Sequence, residues 1–465
     1  MSQRAPAVFT QGSLARHVLV MTATGSIGLV AIFAVDLLSL LYISWSGDPA
    51  KTAAIGMASQ VLFFGISINI GLTIAVSALV ARAIGAHDRA RARRLGGSGL
   101  IHSFVLSTLI SIVLFLFQRP FLELLGARDG VLEGAVLYLN WTLPTNGLMA
   151  VGMVLSGILR GVGDARRSMY VTLFGAIATA MLDPLLILYL DLGISGAGMA
   201  AVISRVMWII VGLWGCVRVH DILGKPDTGS LLNDLGPVMR IALPAILTNL
   251  AAPVATSYSV RALADFGEAA MAAGAIIDRV VTAAFVAVYA LSGAVGPIVG
   301  QNYGAKLYLR VRGTLTASFS FAISYSLIVW YALYLGAPAI VYLFNASGEV
   351  ARLIIFFCTW GAAAWVFLGC LFAANAAFNN LDYAFLSTVF NWGRATLGTI
   401  PFVALGAHYI GPEGVFLGLV AGSGLFSVVA IATAYRIAGK IAAKPGSGNE
   451  DVAKFGKETA AERHN

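Results

Sequence analysis

Charge is what this chain has least of. Asp, Glu, Lys and Arg together make up 11% of its 465 residues, whereas soluble domains carry roughly 25%. So few charges cannot solvate the surface of a water-soluble protein this long, which excludes that class. Cysteine is equally scarce: Cys216, Cys358 and Cys370 all fall in apolar stretches, and no CxxC spacing occurs. Cys358 and Cys370 share one predicted helix at a separation of about 18 Å, too far for a disulfide. Catalytic signatures are missing too. "LGKPD", "AGKIA" and "FGKET" lack the upstream glycine or the Ser/Thr of a phosphate-binding loop, which argues against ATP hydrolysis. No HExxH or nucleophile elbow occurs, and the GxG of "RGVGDAR" follows no predicted strand. The chain is expected to be no enzyme, with no cofactor and no metal site. "NAS" at Asn345 is a chance match to the glycosylation sequon.

What the chain has is apolar length. Hydrophobic residues reach 58%, and runs long enough to cross about 30 Å of hydrocarbon as helices recur throughout. The expected spans are 17–45, 52–82, 96–118, 133–158, 168–190, 196–218, 241–263, 270–300, 314–336, 352–378, 384–406 and 413–436. They lack the alternation of a membrane β-barrel, and in lipid only a helix satisfies its own backbone. The first run is too long for the apolar core of a signal peptide and is kept as a mature helix. The basic residues Arg82 to Arg94, Arg160 to Arg167, Lys306 to Arg312 and those from Arg436 onward lie in loops of one parity. By the positive-inside rule these loops and both termini are cytoplasmic. The net charge of +8 therefore reports topology, and no nucleic acid partner is implied.

The chain reads as a duplication. "SALVARAIGAHD" (77–88) matches "GPIVGQNYGAKL" (296–307), aligning Gly85 with Gly304, and "LRGVGDARRS" from Leu159 meets "FNNLDYAFLS" from Phe378 at the same offset. Pro184 meets Pro401 after a slip of two residues. The predicted fold is an all-α membrane protein, with twelve transmembrane helices in two six-helix lobes related by a pseudo-two-fold axis along the membrane normal and a cavity between them. The expected parts are a cytoplasmic N-terminus (1–16), an N-lobe (17–219), a cytoplasmic linker (220–239), a C-lobe (240–437) and a disordered tail (438–465).

Two carboxylates interrupt the apolar runs at a shared depth. Asp36 in "AIFAVDLLSLLYIS" and Asp183 in "MLDPLLILYL" each fall roughly 10 to 14 Å below the outer surface. An isolated charge there costs several kcal/mol, so such a group faces a cavity, finds a partner or takes up a proton. Burial and a like-charged neighbour both favour the protonated acid, which suits the pair to proton or cation binding. The bland alternative is a hydrogen-bonded anchor between helices. Asp278, Arg279, Arg205 and Arg394 are further embedded charges, read first as structural, with pairing, lining of an entrance or binding of lipid phosphate as the alternatives.

"GLTIAVSALVARAIGA" (71–86), "SGILRGVGDARRSM" (156–169), "LDPLLI" with "GISGAGMA" (182–200) and "FNWGRATLGTIPF" (390–402) resemble the multidrug and toxic compound extrusion (MATE) family of cation-coupled exporters. The likeness runs from about Arg16 to Arg436. It implies alternating access in a bilobed, inverted-V fold that exports amphipathic, often cationic compounds in exchange for protons or sodium. Asp36 and Asp183 match the family's helix 1 and helix 5 aspartates, and Tyr138 matches a helix 4 tyrosine of the same network. Two departures stand out: Thr179 replaces the expected Asn before the helix 5 aspartate, and Ala201 replaces a helix 6 threonine. The stretches 242–260 and 353–378 hold none of the acidic residues of the sodium-coupled branch, so the chain resembles the DinF-like branch. Proton coupling is expected, with sodium as the alternative. A drug cavity is expected to draw on Phe33, Tyr138, Asn140, Trp141, Asn146, Tyr258, Tyr289 and Trp392, whose aromatic faces and amides suit a flat cation. The expected setting is a monomer in the bilayer of a bacterial cytoplasmic membrane. The competing function is a lipid-linked saccharide or peptidoglycan-precursor flippase of the same superfamily, for which Arg205, Arg279 and Arg394 would supply cationic walls.

Overall fold

The computed structural model describes residues 7–45 and 49–443. The expected disorder of the tail beyond Ala443, and the first residues of the expected N-terminal segment, lie outside the described residues. Among the described residues the chain is helical with no strand, and the expected twelve spans are present.

Nine spans are continuous or nearly so: α1 (Leu14–Ser44), α2 (Pro49–Gly85), α3 (Arg89–Leu116), α5 (Ala165–Asp183, continued by a π-turn at Pro184–Tyr189), α6 (Gly193–Leu213, continued by Trp214–Val219), α7 (Thr228–Ala264), α9 (Tyr308–Leu343), α10 (Gly348–Thr359 with Ala364–Asn380) and α12 (Pro412–Ala442). Two are sharply bent. α4 pairs Asp129–Thr142 with Asn146–Val162 at 54°, and α8 pairs Glu268–Ala284 with Val286–Gly304 at 46°. The remaining span, α11, runs as Ala384–Gly393, a π-turn at Arg394–Gly398 and Ile400–Ile410.

These breaks have local causes. Pro144 sits between the two parts of α4, where its missing N–H and ring clash stop the first helix. Pro184 opens one π-turn and Pro401 follows another by three residues. A π-turn inserts one residue and lets the helix continue past a proline that cannot donate. The sequence match between the two prolines therefore corresponds to a repeated break in the fold.

The chain forms two compact units. One contains Ile27–Ile246 and the other contains Phe9–Ser26 with the chain from Leu247 onward. The first turns of α1 thus group with the second unit, and the first half of α7 groups with the first. The 220–239 stretch, expected as a linker, becomes helical at Thr228 and is tied to α3. Gly224 N donates to Arg93 O at 2.9 Å, and buried Asp234 accepts from Arg94 at 3.1 Å and Ser98 at 2.8 Å. In the second unit Phe9 is held in a matching way: its N donates to Gln301 Oε1 at 3.0 Å and its carbonyl accepts from Asn302 Nδ2 at 3.1 Å and Arg310 at 3.2 Å. All three free cysteines are buried.

The turn before α5 is capped by Asp164, whose Oδ1 accepts from Arg167 N at 3.0 Å. Its Oδ2 accepts from His220 Nε2 at 2.7 Å and Arg167 Nη1 at 2.5 Å. Burial opposes ionisation of this carboxyl. The hydrogen bonds from His220 and Arg167, together with the Arg167 charge, outweigh it and hold Asp164 well below the usual carboxylate range. A depressed folded-state value contributes stability above the unfolded value near 3.8 that disappears as pH falls through the folded value. Asp164→Asn is therefore expected to lower the melting temperature at pH 7 and to lower it less as pH drops below about 4. A gap that stays constant from pH 7 to pH 3 would contradict this assignment.

Candidate functional site

The first unit brings the two predicted carboxylates together. α1 and α5 approach closely at Gly28, where a Cβ would lie 2.3 Å from Thr172 Oγ1. A side chain there would force Thr172 to move its hydroxyl, so glycine suits the contact. About two turns further along α1 and three along α5, Asp36 and Asp183 lie within electrostatic reach of each other. Asp183 is the last residue of α5 before its π-turn and is 1% exposed, whereas Asp36 is exposed.

Among the described residues Asp183 has one hydrogen-bond partner. Ser39 Oγ donates to its Oδ2, while Oδ1 is buried without any hydrogen bond. An uncompensated carboxylate oxygen away from water is costly. It is an open valence for a proton or a hard cation. Ser39 escaped the sequence reading, although its signal was there: it follows Asp36 by three residues and so shares a helix face with it.

Tyr138 lies within electrostatic reach of Asp36, Asp183 and Arg205, but its hydroxyl makes no hydrogen bond to either carboxylate among the described residues. Thr179 is turned away from the carboxylates in its bonding, since its Oγ1 donates to Gly175 O at 3.2 Å within its own helix. Arg205 is buried and donates to Thr142 O and Thr145 Oγ1, both at 2.5 Å. It thus caps carbonyl and hydroxyl groups released at the break in α4.

The residues expected to line a drug cavity fall in both units. Asn146 is buried in a closed triangle, giving its Nδ2 to Ser107 Oγ at 2.9 Å and accepting from Asn69 Nδ2 at 2.9 Å, while Ser107 donates to Asn69 Oδ1 at 2.7 Å. That amide is spent on helix packing. Asn140 accepts from Gln118 Nε2 at 3.0 Å, Phe33 is half-buried and Trp141 is exposed. In the second unit Trp392 Nε1 donates to Leu247 O at 2.9 Å, and Tyr258 packs against the apolar core. Tyr289 instead joins an aromatic cluster, 5.3 Å edge-on from Trp365 and 6.0 Å from Phe372. Arg394 is buried within electrostatic reach of Tyr289, and Asp278 and Arg279 are exposed.

Asn146→Leu leaves Asn69 and Ser107 without their partner in a buried site. A cost of about 1–3 kcal/mol is expected, visible as a lower melting temperature of the purified protein. An unchanged melting temperature would show that the triangle carries no stability.

Twelve helical spans, two of the breaks repeated at matched prolines, and a half-satisfied carboxylate buried among apolar helices are the pattern of a membrane transporter. The MatE family model matches residues 26–185 and 244–405, and the chain belongs to that family, whose members are transporters of small molecules and not enzymes. A protein of Shewanella oneidensis named FAD transporter is 27% identical over 91% of this chain and 95% of its own length. The probable multidrug resistance protein NorM of Pseudomonas aeruginosa is 28% identical over 80% of each chain. Among solved structures, the Vibrio cholerae MATE transporter VcmN in the bent form superposes with a TM-score of 0.87 at 26% identity, over 92% of this chain and 98% of that one.

Proposed function

We propose that this transporter exports amphipathic compounds, cationic dyes among them, in exchange for protons taken up at Asp36 and Asp183. The observation that carries the proposal is the buried, unpartnered Oδ1 of Asp183 beside a second carboxylate. One group is sealed and the other open, so a proton reaching Asp36 has a second acceptor further in. Sodium at the same oxygens is the competing ion, because carboxylate and hydroxyl ligands also suit a hard cation. The acid-free stretches 242–260 and 353–378 support the DinF-like branch and leave the first unit as the coupling site. The basic loops support a cytoplasmic membrane with both termini inside.

The test is ethidium transport into liposomes holding the purified protein, under an imposed proton gradient or an imposed sodium gradient. Transport driven by protons alone is expected. Transport driven only by sodium would overturn the coupling ion, and transport by neither would favour the flippase reading.

A second cargo is favoured by the relative of Shewanella oneidensis, which matches this chain almost end to end. On that reading the protein also carries flavin nucleotides, which are planar and anionic.

A further inference from the structure

Of the three embedded arginines, two are accounted for by their surroundings. Arg205 is consumed by Thr142 and Thr145. Arg279 is exposed and lines an open cavity of about 460 Å³ with Val280, Leu343 and Phe344 near the outer end of α9.

Arg394 is different. It is 9% exposed, its Nε is sealed off without a partner, and its guanidinium makes no hydrogen bond or ion pair among the described residues. It opens the π-turn of α11, about 15 Å along the helix from Ala384. A guanidinium held in the membrane interior with no counter-charge is expensive. Tyr289, within electrostatic reach of Arg394, packs on Trp365 and Phe372, and Trp365 in turn stacks on Phe285 at 4.8 Å. Asp278 is also within electrostatic reach of Tyr289 but forms no ion pair with Arg394. A planar, forked cation within electrostatic reach of an aromatic cluster matches a ligand that has a flat ring and an anionic oxygen group.

We propose that Arg394 and Tyr289, backed by Trp365 and Phe372, form a binding site in the second unit for a planar aromatic organic anion. The proposal rests on the transporter reading and names part of its cargo class. On this reading the paired acids of the first unit exchange ions, and Arg394 of the second unit selects cargo. The buried guanidinium would be neutralised only when such an anion arrives.

The experiment compares riboflavin with riboflavin 5′-phosphate, which share a ring and differ by one anionic group. Binding to the full chain in neutral detergent is read by quenching of tryptophan fluorescence. The wild type is expected to bind the phosphate ester about ten-fold more tightly, as a charge-assisted contact would give. Arg394→Gln should bring that ratio close to one, and Arg279→Gln should leave it intact. Should the Gln variant fail to fold, Arg394→Met, which keeps the apolar stem, decides in its place. A wild type that does not discriminate, an Arg394 variant that still does, or an Arg279 variant that loses the preference would each overturn the site. So would an Arg394 variant whose only change is weaker binding of phosphatidylglycerol, since that would make it a lipid site. No gradient is involved, so gradient-driven transport left intact in Asp183→Asn would sink the exchange reading and leave this one standing.

Discussion

Asp183→Asn is expected to reduce gradient-driven dye transport to the level of liposomes without protein, while the purified variant folds and melts close to the wild type. The amide is nearly isosteric and can still accept from Ser39, but it neither binds a proton nor carries charge. Removing an ionised group whose Oδ1 has no partner relieves a desolvation cost. Leaving the new amide N–H₂ without an acceptor adds about 1–3 kcal/mol back. These terms oppose each other, so stability should change little against a complete loss of exchange. Asp36→Asn is expected to slow exchange without abolishing it, because on the proposed route the exposed carboxylate would deliver the proton and the buried one retain it. Parallel transport assays and melting curves on both variants check this. Full transport by Asp183→Asn would move the coupling site elsewhere.

The largest expected effect on stability lies in the second unit, where α11 and α12 meet. A Cβ on Gly422 would lie 1.5 Å from Gly398 O and 2.4 Å from its carbonyl carbon. Both are backbone atoms and cannot rotate aside, so the two helices would have to separate. Gly422→Val is therefore expected to cost about 3 kcal/mol or more and to lower the melting temperature by at least about 6 °C. Gly439→Ala on the same helix meets nothing within 4 Å. There the substitution should be neutral or mildly stabilising, since alanine is the better helix former. If both variants melted alike, close packing of α11 on α12 would not be what holds that pair together. Small residues matter at such a contact because lipid offers no hydrophobic drive for helices to associate.

Hydropathy was enough to place the spans, because a helix that crosses a bilayer needs a long apolar run whatever its neighbours are. It was poor at breaks. Pro144 announces the bend in α4, but Phe285 at the bend in α8 carries no local signal, and α11 is interrupted by a π-turn ahead of Pro401. The start of α7 at Thr228 was hidden because "TGSLLNDLGP" looks like a linker, and its helix depends on Asp234 and Leu231 bonding to α3. The shared depth of Asp36 and Asp183 followed from counting residues along two helices. Which oxygen of Asp183 lacks a partner did not, since that depends on the rotation of α1 about its axis. The same limit explains Asn146, a residue fit for a cavity by type that packing places in a sealed triangle with Asn69 and Ser107. It also explains Arg394, whose isolation appears only when every neighbour has been placed.

The burial of Cys216, Cys358 and Cys370 has a practical side. Thiol reagents that work from water will find little to react with in the native protein, so a single cysteine introduced on an exposed loop becomes its one addressable handle. Spin labels or fluorophores can therefore be attached in pairs on a wild-type background. Distances during a transport cycle can then be followed without first replacing residues packed at 0–2% exposure in the helical core.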